Sequence, residues 1–125
     1  MNIETALARV NTLRPNSVSD QIKVSWLSEC DGLVHREIIL NHEHGPELDT
    51  FGGYDEGTDR STELLVPYPY DEIYIHYLAM KIDYATLETD KYNNDRALFN
   101  NAWDTFGDWW RRNNMPIQRC RELRI

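Results

Sequence analysis

The segment that most restricts this chain is "LLVPYPYDEIYIHYLAMKIDYA", residues 64–85. Pro67 and Pro69 fix their own φ angles and disfavour helical backbone just before them, so the segment enters extended. Asp71 is then a good N-cap, or with Glu72 a first-turn acid facing the positive end of the helix. At the helical period, Ile73, Tyr77, Met80, Tyr84 and Leu87 form one apolar stripe. Ile75, Leu78, Ile82 and Ala85 form a second, roughly opposite. Two polar seams separate them: Glu72, His76, Asp83 and Asp90 on one, Tyr74, Lys81 and Glu88 on the other. A helix apolar on two sides has to be sandwiched. It is expected to be the central helix of the domain, or to present Ile75, Leu78 and Ile82 to a neighbouring copy.

The rest of the chain reads as helices around that one. Ile3, Ala6, Leu7, Val10 and Leu13 space a short first helix that Pro15 closes. "PNSVSD" is a capping turn in which Ser17 or Ser19 accepts from the next helix. That second helix runs to about Leu40, with a stripe of Ile22, Trp26, Cys30, Leu33 and Val34, extended by either Glu37 or Ile38. Its C-terminal "REIIL" is β-branched enough to read alternatively as a strand. Gly32 weakens its middle by up to about 1 kcal/mol relative to Ala. The fourth helix follows "TDKYNND" and ends at "NNMP". Tyr92, Phe99, Ala102, Trp103, Phe106 and Trp110 form its face, with Leu98 and Trp109 on the edge and Asp95 mostly outside it. The fold class is therefore mostly α, a small bundle of about four helices.

Residues 41–66 lack periodicity, and so long a loop in a compact domain is usually functional. Gly52-Gly53 suggests a β-hairpin turn there, projecting from the body as an acidic arm. The organisation expected is one domain over 1–116, with the loop 41–66 inserted, and a basic tail over 117–125.

Charge is unevenly placed. The chain of 125 residues carries −8 overall, yet Arg111 to Ile125 contributes +4 and residues 42–66 contribute −6. A globally acidic chain is a poor prior for binding DNA or an anionic membrane. No apolar run reaches the roughly 18–20 residues of a membrane span, and the N-terminus has no signal-peptide pattern. Cys30 and Cys120 lack metal spacing and read as reduced, cytosolic thiols, with Cys30 in the core.

Several sharper readings compete with plain ones. His35, Glu37, His42, Glu43 and His44 are of metal-ligating type. There is no HExxH, no cysteine pair and no set of three ligands on one helical face, so they read as an exposed helix end with polar histidines. A metal hydrolase using them is a distant third hypothesis. His76 and Asp83 lie too far apart along one helix for a direct bond. The tyrosines Tyr68, Tyr70, Tyr74, Tyr77 and Tyr84 offer stacking faces but no interleaved basic groups, which favours packing and interface roles. Trp109-Trp110-Arg111-Arg112 can be read as a membrane-surface signal, though Trp110 in the core and Trp109 at a subunit contact fits better. No nucleophile elbow or phosphate-cradling glycine loop occurs. No catalytic residue, metal or cofactor is expected.

The block "PYPYDEIYIHYLAMKIDYATLETDKYNNDRALFNNAWDTFGDWWRRNNMP" resembles head–tail connector (adaptor) proteins of long-tailed bacteriophages and prophages, and "ARVNTLRPNSVSDQIKVSWLSECDGLVHREII" fits their first two helices. The resemblance lies in helix lengths, aromatics and a proline-marked entry. It implies a virion structural protein of the neck, made in the bacterial cytoplasm. It implies a ring of twelve copies under the portal protein, a stopper or tail-completion protein below, and DNA passing through without specific binding. Under that resemblance Arg111, Arg112, Arg119, Arg121 and Arg124 would grip an acidic groove on the portal. Glu43, Glu47, Asp49, Asp55, Glu56 and Asp59 would face the channel or the stopper, repelling phosphates. Ile75, Leu78, Ile82 and Trp109 would form the subunit or bundle interface. The alternatives are a soluble helical interaction or regulatory protein of a mobile element, monomer or dimer, or another neck or tail-completion protein.

Overall fold

The computed structural model describes residues 1–115. Within them the chain forms four helices: α1 (Ile3–Leu13), α2 (Asp20–Glu37), α3 (Glu72–Ala85) and α4 (Thr89–Asn113). Two short 3-10 turns, Ile39–Asn41 and Pro46–Leu48, lie between α2 and α3. The expected small helical bundle is what forms. Arg119, Arg121, Arg124, Cys120 and the whole 117–125 tail lie outside the described residues.

α3 is the middle of the bundle. Its main seam is with α4, and α1 and α2 pack on its other side. Both of its apolar stripes enter the interior. Ile73 and Tyr77 are buried, and Tyr77 meets Phe99 of α4 at 5.2 Å between ring centroids. Ile75, Leu78 and Ile82 are buried at 4, 0 and 2 % exposure. Their covering comes from this chain alone, so the sandwich needs no neighbouring copy. The first stripe stops short: Tyr84 and Leu87, at its end, are exposed.

Each polar seam carries one buried residue, while Glu72, Glu88 and Asp90 are exposed. Tyr74 is fully buried, and its hydroxyl donates to Asp31 on α2 while accepting from the Val66 amide. Asp83 is equally buried and meets Arg14 at the end of α1. The seams are therefore where α3 is joined to its neighbours.

Local signals hold at most helix ends. Asn2 accepts from the Thr5 amide, and the Ile3 and Glu4 amides donate to the Thr62 and Arg60 carbonyls. The loop thus satisfies the free donors that begin α1. Ser19 caps α2 by accepting from Ile22 N–H. Asp71, expected to cap α3, makes no cap bond. Its carboxylate lies 3.2 Å from the Met1 amino group, a charge-assisted contact stronger than an N-cap.

Three expectations are corrected. The buried face of α2 is Val24, Leu27, Cys30, Asp31, Val34 and Ile38, whereas Ile22 and Leu33 are exposed and Trp26 only partly covered. The sequence "REIIL" ends the helix in a 3-10 turn and not in a strand. The hairpin at Gly52-Gly53 is also absent. Among the described residues the only β pairing is an isolated bridge between Asn2 and Glu63. Residues 50–66 instead lie against α2. Tyr54 N–H donates to Ser28 Oγ, and Gly53, at φ +82°, leaves room for that hydroxyl where a Cβ would stand 2.8 Å from it. The Tyr54 and Leu65 amides find partners on α2, the Val66 amide on α3, and the Arg60, Thr62 and Leu64 backbone pairs with residues 1–4, so no second strand is needed to satisfy them.

Asp31 closes the arrangement. It accepts from the Tyr54 hydroxyl, the Tyr74 hydroxyl and the Leu65 amide at 3.0 Å. An unpaired buried carboxylate is costly, and three donors from two other segments offset that cost. Burial pushes its pKa up, and the two hydroxyls and the amide pull it part of the way back. Asp31→Ala strands all three donors and is expected to lower the unfolding free energy by about 3–5 kcal/mol, read from urea denaturation. Tyr54→Phe removes one donor only. It should cost about 1 kcal/mol and show mainly as faster proteolysis within residues 41–63.

Candidate functional site

Three places hold the chemistry worth testing: the histidine turn, the buried acid pair on α3 and α4, and the exposed ends of α4. The histidine turn is structural. His35 and His42 are buried and donate to the Leu48 and Ile38 carbonyls, both at 2.8 Å. His44 lies between the His42 carbonyl at 2.7 Å and Asp49 at 3.0 Å, and its pKa is raised, chiefly by the His42 carbonyl. The expected exposed helix end is thus a buried turn. These imidazoles hold backbone carbonyls that the 3-10 turns leave unpaired. No group of three or more His, Cys, Asp or Glu side chains suited to a metal ion occurs among the described residues.

The acid pair is the strongest electrostatic feature. Arg14 Nε lies 3.3 Å from Asp83 Oδ1, and Arg14 Nη2 lies 3.1 Å from Asp95 Oδ2. Both carboxyl side chains are almost completely buried. One guanidinium thus serves two acids from two helices, and Asp83 Oδ2 has no donor of its own. Burial raises the Asp83 pKa to about 6, the adjacent Asp95 adds to the rise, and Arg14 opposes it. His76 lies nearby. Burial lowers its pKa, while Glu72 and Asp95 raise it and Arg9 lowers it. Asp83 accepts from Arg14 and not from His76, so the two do not form a catalytic pair.

Sequence reasoning missed Asp31, Arg14 and Asp95 as structural centres. The signal for two of them was present. Val24, Leu27, Asp31, Val34 and Ile38 follow one helical stripe, as do Tyr92, Asp95, Phe99, Ala102 and Phe106. An acid in line with apolar residues marks a buried acid with a partner. Arg14, beyond the last turn of its helix, carried no such signal.

The remaining candidates sort by exposure. Glu43, Glu47, Asp49, Asp55, Glu56 and Asp59 are all exposed. Asp55 and Asp59 also close local turns, accepting from Gly57 and Ser61 amides. These acids lie along a chain that wraps α2, and so do not form a projecting arm. Ile75, Leu78 and Ile82 belong to the bundle interior. Trp109 is half-buried, stacked on Tyr70 at 5.0 Å and beside Phe106. Arg111 bonds the Gly107 carbonyl and lies near Asp108, and Arg112 is exposed. The Met115 carbonyl accepts from the Glu43 amide at 2.7 Å, which sets Met115 beside the acidic loop.

The α3–α4 corner departs from good local design. Leu87 occupies the left-handed region at φ 61°, where glycine or asparagine is the usual choice. A leucine there costs about 1–3 kcal/mol, and its side chain is 88 % exposed.

No helix among the described residues is long and apolar enough to cross a membrane. Comparison with protein-family models, characterised proteins and solved structures found no match.

The acid pair makes a signed prediction. The folded-state pKa of Asp83 is about 6 against an ordinary value of 3.8, so the folded state holds the proton more tightly. Stability from this group is full below about pH 4 and is lost as pH rises through about 6. Urea melts are expected to show a loss of about 1.4 kcal/mol between pH 5 and 7.5. Asp83→Asn should flatten that dependence.

Proposed function

We propose that this protein is a head–tail connector subunit of a long-tailed phage or prophage, acting by assembly and not by catalysis. The observation that carries the reading is the helix order. A proline-marked entry leads into a two-sided central helix, which is followed by one long aromatic helix and a basic end. In this reading copies stand as wedges in a ring of twelve, between the portal protein and the stopper or tail-completion protein. The sandwiched α3 and the buried clamps on Asp31 and Arg14 make each wedge stiff. The exposed acids Glu43, Glu47, Asp49, Asp55, Glu56 and Asp59 suit a surface past which DNA slides without sticking. The arginines of the 117–125 tail suit an acidic groove on the portal, and the virion neck is the location that follows.

A second reading is a helical interaction or regulatory protein of a mobile element. It draws support from the complete burial of Ile75, Leu78 and Ile82 inside one chain, since such a domain is sufficient as a monomer.

Mixing the full chain with purified portal rings and imaging the mixture by electron microscopy separates the two. Extra ring density below the portal, and co-sedimentation with it, is expected for a connector. Deleting residues 117–125 should weaken that binding by at least about tenfold. Portal rings that stay bare at saturating protein would sink the connector reading and favour the second.

A further inference from the structure

The two ends of α4 are complementary to each other. The N-terminal end, at the α3–α4 corner, carries an open cleft of about 560 Å³ lined by Tyr84, Ala85, Leu87, Glu88 and Tyr92. Its apolar surface is uncovered, with Tyr84 at 70 % and Leu87 at 88 % exposure. Glu88 is exposed on its lining, Asp90 and Lys91 are exposed outside it, and none of the three makes an ion pair among the described residues. The C-terminal end carries Arg111, Arg112 and Met115, the last 60 % exposed. Arg112 likewise makes no ion pair among the described residues.

Nothing in the single chain accounts for Leu87. A glycine would close the same corner without strain, and the leucine side chain covers no core. A residue kept in a strained conformation with an exposed apolar side chain points to a contact made elsewhere. The exposed Glu88 on its lining points to a basic occupant, and the basic, apolar end of the same helix provides one. That occupant cannot be the helix's own far end, because 25 residues of α4 separate the two by roughly 37 Å.

We infer that the α3–α4 corner, with Leu87 as its knob, docks the C-terminal end of α4 of a second copy through Arg111, Arg112 and Met115. The contact is head to tail, so each copy keeps one free corner and one free basic end. Repetition then gives a closed ring or an open filament, not a two-fold dimer. This deepens the connector reading by naming the surfaces between copies, and it leaves the 117–125 tail for the portal.

The test uses the full chain in sedimentation velocity at low salt over rising concentration. Species beyond the dimer are expected, weakening as salt is added. Leu87→Gly should weaken association by about tenfold while the thermal midpoint stays or rises, because strain is relieved. Arg111→Glu with Arg112→Glu should weaken it similarly, and adding Glu88→Arg with Asp90→Arg should restore it. A chain that stays monomeric to about 1 mM, association that stops at a dimer, or a Leu87→Gly variant that melts earlier overturns the inference. The portal experiment separates the two ideas. Portal binding without self-association removes this contact and leaves the connector. Corner-dependent self-association with bare portal rings removes the connector and leaves this contact.

Discussion

The fold depends on one buried carboxylate. Asp31 stands on the apolar face of α2, where a charge is tolerable only if donors surround it. Those donors come from residues 23 to 43 positions further on: Tyr54, Leu65 and Tyr74. Satisfying Asp31 therefore forces the 41–66 segment down onto α2 and sets α3 beside it. Ser28 and Gly53 complete the same seam by close approach. The acidic segment is held through its backbone and two tyrosine-type contacts, while its own acids remain in water.

A second charged knot does for the other end of α3 what Asp31 does for the first. Arg14 joins the end of α1 to Asp83 and Asp95, and so ties α1, α3 and α4 at a single point. Here two acids share one cation, and the surplus negative charge makes the knot proton-sensitive. Apolar stripes make α3 central, but they are non-directional. The polar seams between the stripes decide which neighbour lies where.

What remains free after these internal demands is informative about function. The interior absorbs most of both stripes of α3, His42 and, of the α4 aromatics, Phe106, with Phe99, Trp103, Trp109 and Trp110 partly buried against it. The surface keeps the loop acids, the corner knob at Leu87 and the basic end of α4. The corner and the basic end stand at opposite ends of one long helix, the first with Glu88 and the second with Arg111 and Arg112.

The amino-acid sequence by itself determined the four helices, the proline-marked entry to α3 and its central place, because periodic burial is a local signal. Both stripes of α3 were legible for the same reason, and so were the burial of Cys30 and the Ser19 cap. The tertiary structure alone decided the rest. The true face of α2 was obscured because Asp31, a charged residue, belongs to it while Ile22 and Leu33 do not. The hairpin at Gly52-Gly53 failed because the partners of that backbone are side chains on α2, distant in sequence. Asp71 was read as a cap, but the Met1 amino group claims it. In each case the outcome turned on which donor reached a buried acceptor across the chain, and that pairing is set by three-dimensional proximity, which spacing along a sequence does not encode.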